Sequence, residues 1–233
     1  IARIGAAYCF LIDGFSYIAV IAALLAMNVK PKKIALKAGN PVQRLKEGFN
    51  YAFGFAPIRA ILLLLSLFSF MAMPYITLTP IFATKILAGD AHTLGFLMAA
   101  SGVGAVCGGV YLSLRKTVLG LGRVIALAPS ICGIGLIVFA LSKVLWLSLI
   151  MLAVIGLGSI LVISSSNTVI QTIVDDDKRG RVMSLFTMCF LGMVPFGNLF
   201  AGIAAERIGA PNTLIIGGIF CILGSLLFRK QLP

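Results

Sequence analysis

Seven long apolar stretches fill nearly the whole chain, and the charged residues lie between them. Each stretch is about the 20 residues that a helix needs to cross a hydrocarbon core of about 30 Å. Because lipid offers no partner to a bare backbone N–H or C=O, a spanning segment must be a helix or part of a closed barrel, and the period-two alternation of barrel strands is absent. We therefore predict an all-α polytopic membrane protein with seven transmembrane helices, at residues 5–27, 57–83, 93–114, 124–142, 144–172, 182–205 and 211–228.

The composition agrees with this class and argues against a nucleic-acid partner. Hydrophobic residues make up 60% of the chain and charged residues 11%, whereas about a quarter of a soluble domain is charged. The formal net charge of +12 could suggest nucleic-acid binding. The basic residues, however, fall in short loops beside apolar spans, where membrane lipid is the expected partner.

The distribution of the basic residues over alternate loops predicts the orientation in the membrane. The loops of one side contain only four of the 19 Lys and Arg residues, namely Arg3, Lys85, Lys143 and Arg207. Basic loops stay in the cytoplasm. The pattern thus predicts a cytoplasmic C-terminus and a first residue on the outer side. Because the chain starts with Ile1 and enters from outside, we expect it to be the back portion of a longer protein.

A basic segment of residues 28–56 separates the first span from the other six. Pro41 can occupy the first turn of a helix, because its missing N–H would have no partner there. Apolar residues such as Phe49 and Phe53 then share one face. Residues 42–53 are therefore predicted to form an amphipathic helix along the membrane surface, with a solvated linker as the alternative.

Two short motifs match a known transporter family. Residues 175–185 read DDDKRGRVMSL, which resembles the junction P-D-E-x-R-G-R-V-M-S-L between helices 10 and 11 of bacterial multidrug and siderophore exporters. These exporters form the enterobactin-exporter-like branch of the major facilitator superfamily. Residues 9–17, CFLIDGFSY, resemble helix 6 of the same branch. The order of one helix, a long basic linker and six helices is also similar to that of the family.

The resemblance covers the whole chain and implies helices 6–12 of a major facilitator fold. Residues 1–29 would be helix 6, residues 30–56 the cytoplasmic central loop with its amphipathic helix, and residues 57–233 the C-terminal six-helix bundle. It also implies a multi-pass protein of the bacterial inner membrane whose partner is the missing N-terminal half of the same protein. The family's loop motif G-x-x-x-D-R-x-G-R-R is incomplete here, because no Asp lies between Gly109 and Arg123.

Two spans carry polar stripes that are predicted to line a substrate cavity. Uncharged polar groups mixed with Met suit a small amphipathic molecule. Hydrogen bonding between helices is the alternative for each residue. The members of the stripes are Ser66, Ser69, Met73 and Thr77 on the second span, and Ser159, Ser164, Asn167 and Gln171 on the fifth.

Asp13, near the middle of the first span, is the one deep ionisable residue of the spans. A carboxylate in hydrocarbon costs about 2.5–3.5 kcal/mol on insertion scales, so such a residue is a functional candidate by default. We take Asp13 as the proton-coupling candidate. The alternative is a structural Asp that joins two helices by hydrogen bonds.

Charges at the predicted cytoplasmic ends of the spans are candidates for an inner gate. Aspartates that precede a helix favour its positive N-terminal end, and nearby arginines can pair across the two halves of a transporter while its inner face is closed. The alternative is that these charges only anchor the topology, since exposed pairs are worth under about 1 kcal/mol. The gate candidates are Asp175, Asp177, Arg179, Arg181, Arg115 and Arg123.

The chain shows no enzyme motif, and its five cysteines and single histidine have no metal-ligand spacing. We expect no catalytic residue, no metal and no cofactor. The function that the sequence favours is proton-coupled efflux of small amphipathic molecules, performed by an antiporter that works by alternating access. A lipid or lysophospholipid flippase and a non-transporting membrane scaffold are the alternatives.

Overall fold

The computed structural model describes residues 6–27, 41–115 and 117–230, and every regular element in these ranges is a helix. The prediction of an all-α protein is therefore confirmed. The helices are α1 (Ala6–Ala26), α2 (Pro41–Gly54), α3 (Ala56–Met71), α4 (Tyr75–Ile81), α5 (Ala91–Ser113), α6 (Leu121–Leu141), α7 (Leu145–Ile173), α8 (Asp176–Leu191), α9 (Met193–Ile208) and α10 (Ala210–Arg229), with a π-helix at Phe82–Ile86 after α4.

The chain divides into two compact units, Ile1–Asn40 and Pro41–Pro233. Helix α1 is the described element of the first unit. The second unit contains α2 together with α3 to α10. The short helix of the central segment therefore belongs to the same unit as the helices that follow it.

Six helical segments of the described chain are long and apolar enough to cross a membrane, not the seven that were predicted. The difference lies in α1, whose described apolar stretch is Gly14–Ala26. Helix α1 as a whole extends over 21 residues, Ala6–Ala26, or about 31 Å at 1.5 Å per residue, and its side chains are described only in part. The six spans are Ala56–Ile86, Ala91–Ser113, Leu121–Leu141, Leu145–Ile173, Asp176–Ile208 and Ala210–Arg229.

The first of these spans, Ala56–Ile86, is a broken helix. It consists of α3, a turn at residues 72–74, α4 and the π-helix. Pro74 lacks the N–H that would bond to the carbonyl of Phe70, and its ring disfavours a continuous helix. Pro80 removes a second donor inside α4, just before the π-helix begins.

The span Asp176–Ile208 is broken as well. Helix α8 ends at Leu191 and α9 begins at Met193, with Gly192 between them. Pro195 in the first turn of α9 removes a backbone donor at this point. Both broken spans therefore owe their interruption to proline.

The bundle is held together by close pairs of helices. Helix α7 packs against α5 and α6, helix α10 packs against α6 and α3, and α3 also contacts α8 and α9. Glycines bring α5 and α7 together, since a Cβ at Gly104 would overlap the carbonyl oxygen of Ala153 and one at Gly156 would overlap that of Ser101. In lipid the hydrophobic effect does not drive helices together, because the surrounding tails are apolar too. Close packing of small residues is what allows tight association there.

Asp90 provides the N-cap of α5. Its Oδ1 atom accepts hydrogen bonds from the backbone N–H of His92 at 3.0 Å and of Thr93 at 3.1 Å. These N–H groups have no helical partner in the first turn. The bond from the Thr93 N–H is the main reason why the pKa of Asp90 is lowered from its ordinary value. The cap therefore stays charged, and competent to accept these bonds, at neutral pH.

We predict that Gly104→Ala destabilises the protein by about 1–3 kcal/mol, because the added methyl group must push α5 away from α7. The measurement is the thermal unfolding midpoint of the purified protein in detergent.

Gly102→Ala is the matched control on the same helix, since a Cβ there meets nothing within 4 Å. Alanine has the higher helix propensity, so this variant should be at least as stable as the parent. Equal losses in the two variants would contradict the proposed close contact.

Candidate functional site

The predicted polar stripe of the second span is divided by the turn at residues 72–74. Ser69 is fully buried and Met73 is buried, whereas Ser66 is half-buried and Thr77 is exposed. The four residues therefore differ in exposure, and Ser66 and Thr77 are the accessible members of this predicted stripe.

The predicted stripe of the fifth span lies on α7 and has two environments. Ser159 is buried, and its hydroxyl group donates to the Ile155 carbonyl one turn earlier at 2.7 Å. Asn167 is half-buried and Gln171 is exposed, and the amide group of Gln171 donates to that of Asn167. Ser164 is half-buried. The accessible part of the stripe is therefore its predicted cytoplasmic end.

A hydrogen bond joins the two broken spans close to both interruptions. The hydroxyl group of Ser69 on α3 donates to the carbonyl of Phe190 on α8. Ser69 comes one turn before the break at residues 72–74, and Phe190 comes two residues before Gly192. On the other side of the second break, Gly197 packs against the carbonyl oxygen of Phe70, since a Cβ at Gly197 would lie 2.5 Å from it. This carbonyl has no helical donor, because Pro74 lacks an N–H. The two interruptions are thus packed against one another.

The structure also shows a polar contact that the sequence analysis missed. The hydroxyl groups of Tyr75 and Ser101 lie 2.8 Å apart and join α4 to α5. Tyr75 is 5% exposed, and a buried tyrosine hydroxyl normally finds a partner. A tyrosine directly after Pro74 in an apolar span was the available signal, but the sequence does not identify its partner.

At the predicted cytoplasmic end, the start of α8 carries two exposed ion pairs. Lys178 pairs with Asp175 at 3.2 Å, and Arg179 pairs with Asp176 at 2.6 Å. Both pairs join residues three positions apart, so each is local to one helical turn. Asp177 is exposed in the same turn. Exposed pairs of this kind are worth under about 1 kcal/mol each.

Helix α2 packs on this charged turn. The Tyr51 hydroxyl group donates to the Asp175 carboxylate at 3.3 Å, and the Lys178 ammonium lies 4.4 Å from the centre of the Tyr51 ring. Gly48 permits the close approach, since a Cβ there would lie 3.0 Å from the Cβ of Arg181. Ala52 is fully buried. Helix α2, which was predicted to lie along the membrane surface, therefore has contacts with α8 as well.

Arg115 and Arg123, the other two gate candidates, lie elsewhere. Arg115 follows the end of α5, where it donates to the Tyr111 hydroxyl at 3.2 Å and to the Leu119 carbonyl at 2.8 Å. Arg123 is exposed near the start of α6. Among the residues that the structure describes, neither arginine forms an ion pair with the aspartates of α8. The six gate candidates thus form two groups.

Arg115 instead comes together with the polar stripe of α7. A cavity of about 170 Å³ lies between the end of α5, the loop that follows, the start of α6 and α7. Arg115, Ser164 and Thr168 are among the residues that line it. A predicted gate residue and a predicted lining residue therefore share one site.

Asp13 lies in α1, but its side chain is outside the described residues. In the described parts of the chain, no group of three or more His, Cys, Asp and Glu side chains could hold a metal ion. The chemistry that the site offers is therefore hydrogen bonding, charge pairing and apolar contact.

Six apolar spans, two of them broken and packed at their breaks, together with basic connecting segments, define a multi-pass membrane protein of the helical transporter class. A family model described as a transmembrane secretion effector, which is a group within the major facilitator superfamily, matches residues 1–233. The chain belongs to this family, whose members are transporters rather than enzymes.

Two curated relatives are similar over almost the whole chain. The chain is 26% identical over 219 residues to the staphyloferrin A transporter of Staphylococcus aureus, a match that covers 94% of this chain and 54% of that protein. It is 25% identical over 228 residues to YvqJ, an uncharacterized MFS-type transporter of Bacillus subtilis, covering 95% of this chain and 53% of that protein. The chain thus spans about half the length of the curated relatives it matches.

We predict that Ser69→Ala lowers the free energy of unfolding by about 1–2 kcal/mol, because it leaves the Phe190 carbonyl without this donor at the joint between the broken spans. Ser66→Ala is the matched control, since the Ser66 hydroxyl group donates within its own helix to the Leu62 carbonyl. Its effect should stay within about 0.5 kcal/mol. Thermal unfolding in detergent measures both, and a control as unstable as Ser69→Ala would remove the argument for a joint.

Proposed function

We propose that this chain is the C-terminal part of a secondary active transporter of the bacterial inner membrane. The transporter exports small amphipathic molecules in exchange for protons by alternating access. The observation that carries the proposal is the uneven burial of the spans. In the most apolar part of α5, 17% of the residues are buried, and in that of the α8–α9 span 11% are buried. In the other four described spans the buried share is 39–61%.

The two weakly buried spans leave faces that a second helix bundle would cover. Val103 and Val106 on α5 are 60% and 66% exposed, and Phe196 and Leu199 on α9 are 64% and 65% exposed. Lipid tails would also accept these side chains, so exposure alone does not choose between lipid and protein. The half-length match to the relatives favours protein, and the N-terminal half of the same protein is the partner we propose.

The accessible stripe of Ser164, Asn167 and Gln171 supports a small-molecule cargo. Its groups are uncharged and hydrogen-bonding, and the helix around them is apolar. Such a surface suits a molecule with both a polar and an apolar part. The staphylococcal relative is named as a transporter of staphyloferrin A.

The charged turn at the start of α8 supports a gate at the inner face. Its ion pairs are exposed and weak, so they can break and form again at little cost when the helix moves. Because α2 packs on this turn, the central segment would move with it. The basic loops support a cytoplasmic position for this end and for the C-terminus. Asp13 remains the proton-coupling candidate, since no other acidic residue lies deep in a span.

The test is export by the full-length protein in inside-out membrane vesicles. We expect an amphipathic fluorescent dye to accumulate when a proton gradient is imposed and to stop accumulating when an uncoupler collapses it. Asn167→Leu removes the central amide of the stripe and should reduce the rate about tenfold, since a hydrogen bond is worth about 1–1.5 kcal/mol.

Thr172→Ala is the matched control, because Thr172 is exposed on the same helix and lies outside the stripe. Its rate should equal that of the parent. Dye movement that ignores the proton gradient would contradict the coupling, and no dye movement at all would favour a scaffold. Asp13→Asn separates the roles of that residue: loss of the proton dependence assigns it to coupling, and unchanged export assigns it to helix packing.

A further inference from the structure

Two hydrogen bonds orient Arg115 in the wall of the cavity at the end of α5. One Nη atom donates to the Tyr111 hydroxyl, the other donates to the Leu119 carbonyl, and the guanidinium lies 5.8 Å from the centre of the Tyr111 ring. The loop can close on the guanidinium because Gly120 adopts a φ of +82°, and a Cβ there would lie 3.2 Å from one Nη atom. A side chain fixed in this way loses little rotamer entropy when it binds a ligand.

The guanidinium nevertheless retains unused donors and an uncompensated charge. An arginine has five N–H donors, and the two bonds to Tyr111 and Leu119 use two of them. Within the described ranges, no carboxylate lies within ion-pair distance of Arg115. Both known acceptors are neutral. A half-buried guanidinium with neutral neighbours favours an oxyanion, because charge-assisted hydrogen bonds are about twice as strong as neutral ones.

The rest of the cavity wall is divided into polar and apolar parts. Ser164 and Thr168 on α7 provide hydroxyl groups, and the Thr168 hydroxyl donates to the Ser164 carbonyl at 2.9 Å. Leu112, Val118 and Leu121 provide apolar surface. A molecule that has an anionic group and a hydrocarbon part would meet a matching surface on each side.

The size of the cavity limits what can enter it. Its volume of about 170 Å³ is below the range of about 300–1,000 Å³ for sites that enclose a whole drug-sized ligand. It accommodates a carboxylate or phosphate group with a few methylene groups, so the remainder of the ligand must lie outside. The cavity is therefore a subsite for one end of a molecule.

We propose that this cavity, which we name the Arg115 cleft and define by Arg115, Ser164, Thr168, Leu112, Val118 and Leu121, binds the carboxylate or phosphate end of an anionic amphipathic molecule. The ligand is either a transported cargo or an anionic phospholipid, and both offer the same oxyanion chemistry. If the ligand is a transported cargo, this proposal rests on the proposed transport function. If the ligand is a phospholipid, it does not.

The first experiment uses the full-length protein in proteoliposomes and two amphipathic fluorescent probes of similar size, one with a carboxylate and one with a quaternary ammonium group. Arg115→Gln should raise KM for the carboxylate probe about tenfold or more, because charge-assisted hydrogen bonds are lost. It should not raise KM for the ammonium probe, because the guanidinium does not attract a cation. Arg115→Lys, which keeps the charge, should restore part of the affinity.

Arg229→Gln is the matched control, because it removes one exposed basic charge at the same end of the bundle, from the last residue of α10. It should change KM for neither probe. An equal loss for both probes in Arg115→Gln would show that Arg115 only supports the loop, and that result would overturn the proposal.

The second experiment measures phospholipids that remain bound to the purified full-length protein, by native mass spectrometry. A selective loss of anionic phospholipid in Arg115→Gln, with both KM values unchanged, would identify the ligand as a lipid and support the cleft. If the parent protein transports neither probe, but Arg115→Gln retains less anionic lipid than the parent does, the proposed transport function is contradicted. The proposed binding of an anionic group in the cleft is then still supported. Unchanged lipid retention together with unchanged KM would overturn the cleft.

Discussion

The constraint on which this structure depends is the absence of water from the hydrocarbon core, because every buried backbone N–H and C=O must then find a partner inside the protein. A continuous helix provides these backbone partners, and the described spans are helical over most of their length. Where Pro74 and Pro195 remove donors, the chain responds by bringing the two weakened places together. The hydroxyl group of Ser69 then serves the carbonyl of Phe190. This bond joins the two broken spans beside their interruptions.

Close approach of helices follows from the same constraint, since association in lipid depends on packing and short polar contacts. Gly104 and Gly156 remove the atoms that would keep α5 and α7 apart. The hydroxyl groups of Tyr75 and Ser101 provide a polar contact of this kind between α4 and α5. Interior polarity here is thus mainly a means of assembly. Accessible polar groups of the predicted stripe lie near the predicted cytoplasmic end of α7.

The sequence predicted the spans well, because length and hydropathy report directly on the hydrocarbon thickness. Residues 93–114 were predicted for the helix that the structure gives as Ala91–Ser113. For the predicted span 5–27 the structure gives the helix Ala6–Ala26, of which only Gly14–Ala26 is described as an apolar segment, so six spans and not seven are found among the described residues. The sequence did not predict how differently the members of one stripe are exposed, since Ser69 is fully buried and Thr77 is exposed. The separation of Arg115 from the aspartates of α8 could not be predicted, since charge pairing is decided by packing that a linear pattern does not encode.

The docking of α2 has a consequence for the reach of the chain. With α2 included in the unit Pro41–Pro233, the chain between the end of α1 at Ala26 and the start of α2 consists of residues 27–40. A peptide of this length covers at most about 50 Å when fully extended. Its covalent length is therefore an upper limit on the distance between the end of α1 and the start of α2.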